Sequence, residues 1–348
     1  MGEKDENKAL QKFKEMRYQA IVATRSNTCF LCGKVLTGSC ESHSIPKFIL
    51  KNIADNGWVF TANKLMKVET ERDEKGVNNS GIFRLICDGC DKTFFSEYES
   101  SVSLQIEPSP LMMAEIALKN FLLILNWKRV DLELYKNPYF SSENLRAFAK
   151  GKQQILQLDI QEIKNEIDFY KQIIVKRDTN QCRFRKMFWK LLPYRTPLAV
   201  ETAMAIGEDC NGNLVNDVFN YSKDNRIEYV HIGVFPLKES TAVIAFYHVK
   251  DKKYRPLLHQ LNAQAEEKTL RFLNWLVIKY AANYYISKEM EEVIENNKNL
   301  QKLSREESGL PNFGIVNEEE LRAGGTGISM NDIPNFLCER YSLDGVHK

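Results

Sequence analysis

Two C-x-x-C pairs, Cys29/Cys32 and Cys87/Cys90, have 54 residues between them. No other feature constrains this chain's fold as strongly. Two residues between cysteines let the backbone reverse and bring both sulfurs to one side. Gly33 just after the first pair and Gly89 inside the second supply the backbone freedom this needs. Four thiolates so placed match a borderline-soft ion such as zinc in tetrahedral coordination, with no position left for water. The spacing therefore predicts a structural Zn2+ on Cys29, Cys32, Cys87 and Cys90, with four unligated thiols or an iron–sulfur cluster as alternatives. Cys40, Cys182, Cys210 and Cys338 are scattered singly. Residues 1–14 are polar and charged and carry no secretory signal. With the cysteine usage, this predicts a reducing, cytoplasmic setting and metal ligation over disulfides.

After the second pair, Asp91-Lys92-Thr93-Phe94-Phe95 reads as the start of a helix with the last two ligands in its first turn. A first knuckle, a hairpin and a knuckle feeding a helix is the order of a treble clef. Between the knuckles lies Glu41-Ser42-His43-Ser44-Ile45-Pro46-Lys47. A C-x-x-C, then His-x-Ile-Pro, then a C-x-x-C and a polar residue resembles the HNH nuclease family, in its branch with an E-H-I-I-P-like segment. The resemblance covers about residues 28–100.

The resemblance implies a ββα-metal-like module in which His43 matches the general base, a task that suits an imidazole titrating near operating pH. A catalytic Mg2+ or Mn2+ would be held by the position before the histidine and by one on the helix. Those positions are Ser42, where the family has Asp, Glu or His, and Asp91, where it has Asn. The carboxylate has then moved from strand to helix, with Asp91 as the oxygen ligand. Ser42 is a candidate helper. So is Glu41, which a regular strand points away from Ser42's side. Glu99, eight residues past Asp91, matches the family's acidic helix end. The implied activity is metal-dependent hydrolysis of phosphodiester bonds in DNA by an endonuclease, with a mobile-element or antiviral-defence setting. A structural histidine that hydrogen-bonds the hairpin, or a spare zinc ligand, is the alternative for His43.

A chain of 348 residues, 43% apolar and 27% charged, suits two or three soluble globular domains. The expected class is α+β: an N-terminal helix at 1–27, the zinc module at 28–104, a helical region at 105–195, and a C-terminal α+β domain with β-hairpins at 196–348. The N-terminal helix buries a face of Leu10, Phe13, Met16, Ala20 and Ile21. Residues 69–80 read as an exposed polar loop. The apolar run 114–127, most hydrophobic at 121–125, is interrupted by Lys119 and ended by Lys128 and Arg129, too short to span a bilayer, so no membrane partner is expected. Ser141 and Ser142 are candidate caps of a long helix. In it, Leu156, Ile160, Ile163, Ile167, Tyr170 and Ile174 form a heptad-like seam for packing within the chain, or for self-association through the 145–175 helix. Strand signals at 197–206, 229–236 and 241–249 imply hairpins, the last around Lys238-Glu239-Ser240.

The formal net charge is only +2, so a nucleic-acid site must come from local clustering. Residues 176–195 supply one candidate. There Arg183, Arg185, Lys186 and Lys190 interleave with Phe184, Phe188 and Trp189, a composition able to neutralise phosphates and stack on bases. An amphipathic helix with solvated charges explains the same pattern. Lys47, Lys51, Lys64 and Lys67 form a second basic set. His231 and His248 fall in the expected hairpins and read as core histidines. The glycine-rich stretch 323–327 lacks the Lys-Ser/Thr of a phosphate loop. Two readings of function follow from different classes: the endonuclease, and a non-catalytic nucleic-acid-binding or protein-interaction module on a zinc scaffold, for which Ser42 in place of a carboxylate is the best argument.

Overall fold

The structure, a computed structural model, describes residues 3–36, 41–67, 71–178, 180, 183–218, 220, 222, 224–306 and 327–344. Its helices in chain order are α1 (Glu3–Ala23), α2 (Lys47–Ile53), α3 (Asn63–Met66), α4 (Asp88–Phe94), α5 (Pro110–Leu134), α6 (Glu143–Lys176), α7 (Arg255–Asn262), α8 (Glu266–Tyr280), α9 (Glu291–Glu295) and α10 (Lys298–Glu306). The strands are β1 (Ser42–His43), β2 (Trp58–Thr61), β3 (Glu74–Gly76), β4 (Ile82–Phe83), β5 (Phe184–Leu192), β6 (Leu198–Met204), β7 (Val230–Pro236), β8 (Thr241–His248) and β9 (Tyr284–Ile286). The mixture of helix and sheet makes the chain α+β, as expected. No helix among the described residues is long and apolar enough to cross a membrane.

The chain divides into two compact units. The first unit combines Met1–Ser44, Ile82–Tyr98 and Leu111–Cys182, so both cysteine pairs belong with the long helices. The second combines Ile45–Gly81, Glu99–Pro110 and Arg183–Lys348. Most of the segment between the two cysteine pairs thus belongs to the second unit.

In the first unit, α5 and α6 pack through the predicted seam. Leu156, Ile160, Ile163, Ile167, Tyr170 and Ile174 are all buried within the chain, and Tyr170 stacks on Phe121 with ring centroids 5.8 Å apart. Lys128 closes the same pair of helices on Asp159 at 2.7 Å. The apolar seam offered for self-association is therefore spent on intrachain packing. Met16 and Ala20 of α1 bury against Val130, Leu134 and Tyr135, with Phe13 packed alongside. Ile21, expected on the same face, is instead 39% exposed. Ser142 occupies the cap position of α6 without a side-chain cap bond.

The second unit is built on an antiparallel seven-stranded sheet in the order β3-β2-β9-β6-β7-β8-β5. Every residue of β6, β7 and β8 is buried, so both faces of the sheet centre are covered. The hairpin expected around Lys238-Glu239-Ser240 forms, closed by the Leu237 N–H donating to the Ser240 carbonyl at 2.7 Å. Two expectations are corrected. Residues 74–76, read as loop, are the edge strand β3, paired with β2. Residues 184–192, read within the helical region, are the opposite edge strand β5. Of the expected glycine-rich loop, residues 323–326 lie outside the described residues, as do Cys40 and Cys182.

His231 and His248 are buried, as the hairpin reading expects. His231 stacks on Phe246 at 5.0 Å, and burial, aided by Lys250 and His248, lowers its pKa to about 3. An unfolded histidine titrates near 6.5, so between these values the unfolded chain binds the extra proton. Stability from the neutral imidazole is complete above pH ~6.5 and is lost as pH falls, at about 1.4 kcal/mol per pH unit. Denaturant titrations at pH 6.5 and 5 are expected to show about 2 kcal/mol of this loss in the wild type and none of it in His231→Phe. Equal acid sensitivity in the two proteins would remove the assignment.

Candidate metal centre and its polar neighbours

The first knuckle is a tight turn. The Cys29 N–H donates to the Lys34 carbonyl at 2.7 Å and the Gly33 N–H to the Cys29 carbonyl at 2.8 Å. Gly33 sits at φ +73°, where a side chain would be strained. Cys87 takes the N-cap position of α4, its sulfur accepting from the Cys90 N–H at 3.4 Å, and Cys90 lies in the helix's first turn. The two knuckles are tied by the Phe30 N–H on the Leu85 carbonyl at 2.8 Å and by the Cys87 N–H on the Cys29 sulfur at 3.3 Å.

All four sulfurs lie within 4.8 Å of one another. Cys32 and Cys87 are 3.8 Å apart, close to the roughly 3.8 Å edge of a thiolate tetrahedron around an ion of zinc's size. Cys29 and Cys90 are buried, and burial pushes both thiols up, whereas the Lys34 backbone N–H brings exposed Cys32 down to about 7. Two buried sulfurs that resist ionising alone, gathered with two others, are stabilised as thiolates by a cation. The cluster can hold one metal ion through four protein ligands.

Beside it, β1 pairs with β4, Ser42 opposite Phe83 and His43 opposite Ile82. Ser42 is buried, and its hydroxyl donates to the Asp91 carboxylate on α4. Thus Ser42 and Asp91 converge, and His43 is held one residue away on the strand. Glu41 does not join them. It is half-exposed and ion-paired with Arg84. The helix ends at Phe94, so Glu99 lies beyond it, and the two-turn alignment expected of Glu99 with Asp91 does not exist.

One residue that sequence reasoning passed over enters this site. Lys119 of α5 is 1% exposed and its ammonium lies 3.9 Å from the same Asp91 oxygen that accepts from Ser42. The Phe95 ring lies 4.4 Å and the Tyr98 ring 5.8 Å from that nitrogen. One turn earlier, buried Glu115 accepts from the backbone N–H groups of Glu97 at 3.0 Å and Tyr98 at 3.3 Å, which fixes the segment bearing those rings. The signal was legible in principle. Residues 112–125 are all buried, so Glu115 and Lys119, four apart inside that run, had to be compensated by partners.

The donor set does not fit a magnesium-type ion. Such an ion takes about six oxygens in octahedral array and keeps several waters. Here there is one carboxylate, a buried hydroxyl already donating to it, and a buried ammonium. At about 4 Å and an effective dielectric near 20, a dication and an ammonium repel by roughly 8 kcal/mol.

The basic segment also changes meaning. A register shift between Lys186 and Phe188 breaks the alternation of β5. Lys186 pairs opposite Phe246 and Lys190 opposite Val243, positions on opposite faces of the sheet. Lys186 is ion-paired with Glu107, and Lys190 with Glu266 at 2.9 Å. Arg183 and Arg185 remain exposed and make no ion pair among the described residues. In the second basic set, Lys64 is buried against Glu291 and Glu295, and Lys67 pairs with Asp73.

Comparison with known proteins brings no match to this chain among family models, curated proteins or solved structures.

Proposed function

We propose that the chain is a zinc-stapled, treble-clef protein of HNH-like build that binds nucleic acid without cutting it. Zn2+ on Cys29, Cys32, Cys87 and Cys90 is structural, since four protein thiolates leave no open position. The observation that carries the non-cutting reading is the engagement of Asp91 by Ser42 and Lys119, which leaves a hydroxyl and an ammonium where hydrolysis would need a second metal. Exposed Arg183 and Arg185 at the start of β5, with half-buried Phe188 on the same face of the sheet as Arg185, are the surface offered to phosphates and bases.

Plasmid incubated with the zinc-loaded protein and Mg2+ or Mn2+ is expected to stay uncut, with wild type and His43→Ala alike. Binding to single- or double-stranded nucleic acid is expected to fall steeply with salt. Replacing Arg183 and Arg185 together by glutamate lowers the logarithmic salt slope by about 2. Binding to neither DNA nor RNA ends this reading. A second reading, the endonuclease hydrolysing phosphodiester bonds in DNA, has one observation in its favour: Ser42, next to His43 on β1, is bonded to the start of α4. Cutting that disappears in His43→Ala would put that reading first.

A further inference from the structure

Asp91 lies beside a metal cluster, yet its charge is met from within the chain. The Lys119 ammonium is 3.9 Å from its Oδ1 and is 1% exposed, while the Asp91 side chain retains 25% exposure. Two aromatic rings stand over that ammonium, an environment that favours a desolvated organic cation. A divalent ion brought to the same carboxylate would be repelled by that ammonium at close range. Lys119 is carried on the 25-residue helix α5, and Glu115 on that helix holds the backbone bearing the rings. The ammonium is thus tethered, positioned from two sides and unable to exchange with solvent ions.

We infer that Lys119 is the resident cation of the Ser42–Asp91 site, standing where a divalent ion would sit. The zinc-loaded chain accordingly takes up no second divalent ion at Asp91, and removing the Lys119 charge opens a site for one. Lys119 is a positioning residue, since it acts through Asp91. The inference rests on the HNH-like build proposed above, and not on nucleic-acid binding.

Manganese is the probe, because free aqueous Mn2+ gives a six-line electron paramagnetic resonance signal that collapses on binding. Zinc-loaded wild type is expected to leave the free signal at the level that Asp91→Asn leaves it. Lys119→Met is expected to bind one Mn2+ per chain at least about tenfold more tightly than wild type, and Asp91→Asn added to it abolishes that uptake. Lys119→Arg, which keeps the charge, behaves as wild type. Zinc content and a melting curve establish that each variant folds. Wild-type Mn2+ uptake that Asp91→Asn removes would overturn the inference, as would a folded Lys119→Met no tighter than wild type. Where Lys119→Met does not fold, the comparison of wild type with Asp91→Asn decides alone. Salt-dependent nucleic-acid binding is measured on the same preparations. Its absence ends the binding reading and leaves the manganese result intact.

Discussion

Cys90→Ser is expected to bring bound zinc from one per chain to none and to unfold the module around α4. Cys90 is buried, and so is Cys29, its counterpart in the first knuckle. Around them the regular structure is slight. β1 and β4 have two residues each and α4 has seven. A helix that short is not stable alone, since isolated helices need about 12–15 residues. Structural zinc in zinc-finger peptides contributes apparent free energies of about 10–16 kcal/mol at neutral pH, as large as the whole stability of an ordinary domain at about 5–15 kcal/mol. Deleting one buried ligand removes most of that term and leaves three thiols whose ionisation no cation supports. The loss should be local. α5 and α6, with 25 and 34 residues and a core of their own, keep their helicity. Amide exchange should rise at residues 29–35, 42–43 and 82–94 while α6 stays protected. Metal analysis of the wild type that finds no zinc, or a Cys90→Ser protein with unchanged melting and exchange, would refute the expectation.

What the sequence disclosed, and what it hid, follows the range over which each pattern acts. The cysteine pairs were legible because a C-x-x-C turn is local chemistry, and the seam of α6 because six residues repeat at helical spacing. The β7–β8 hairpin was legible for the same reason, its turn lying between two apolar runs. β3 was not. Its three residues, Glu74–Gly76, are neither apolar nor alternating, and they become strand because β2 offers them a partner. β2 in turn joins the sheet through β9, more than 200 residues away, a pairing no local pattern announces. β5 misled for a specific reason. The irregularity between Lys186 and Phe188 puts Phe184, opposite His248, and Phe188, opposite Ala245, on different faces of the sheet, so no single period-2 alternation runs along the strand. At the site, His43, Ser42 and Asp91 were named from the sequence. Lys119 was seen only as an interruption of an apolar run. Its role depends on residues 112–125 of α5 being buried all round, so that a charge within them must meet an opposite one.

The helical pair of the first unit carries the second large effect. Tyr170→Ala is expected to destabilise that unit by about 3–5 kcal/mol, the usual cost of emptying a buried aromatic site. Tyr170 is fully enclosed, it lies between buried Ile167 and Ile174, and its ring stacks on Phe121 at an interplanar angle of 15°. Phe121→Ala should cost as much, because it opens the same space from the other helix. The two losses should not add. Stacked aromatic pairs carry about 0.5–1.5 kcal/mol beyond their buried area, so the double variant falls short of the sum by at least that much. Leu158→Ala provides the contrast. That side chain is 62% exposed on the same helix, off the seam, and its removal should shift stability by less than about 0.5 kcal/mol. Denaturant midpoints of the four variants decide the matter. If Leu158→Ala costs as much as Tyr170→Ala, the helix presents a different face to its partner. If Phe121→Ala and Tyr170→Ala are strictly additive, the two rings do not meet.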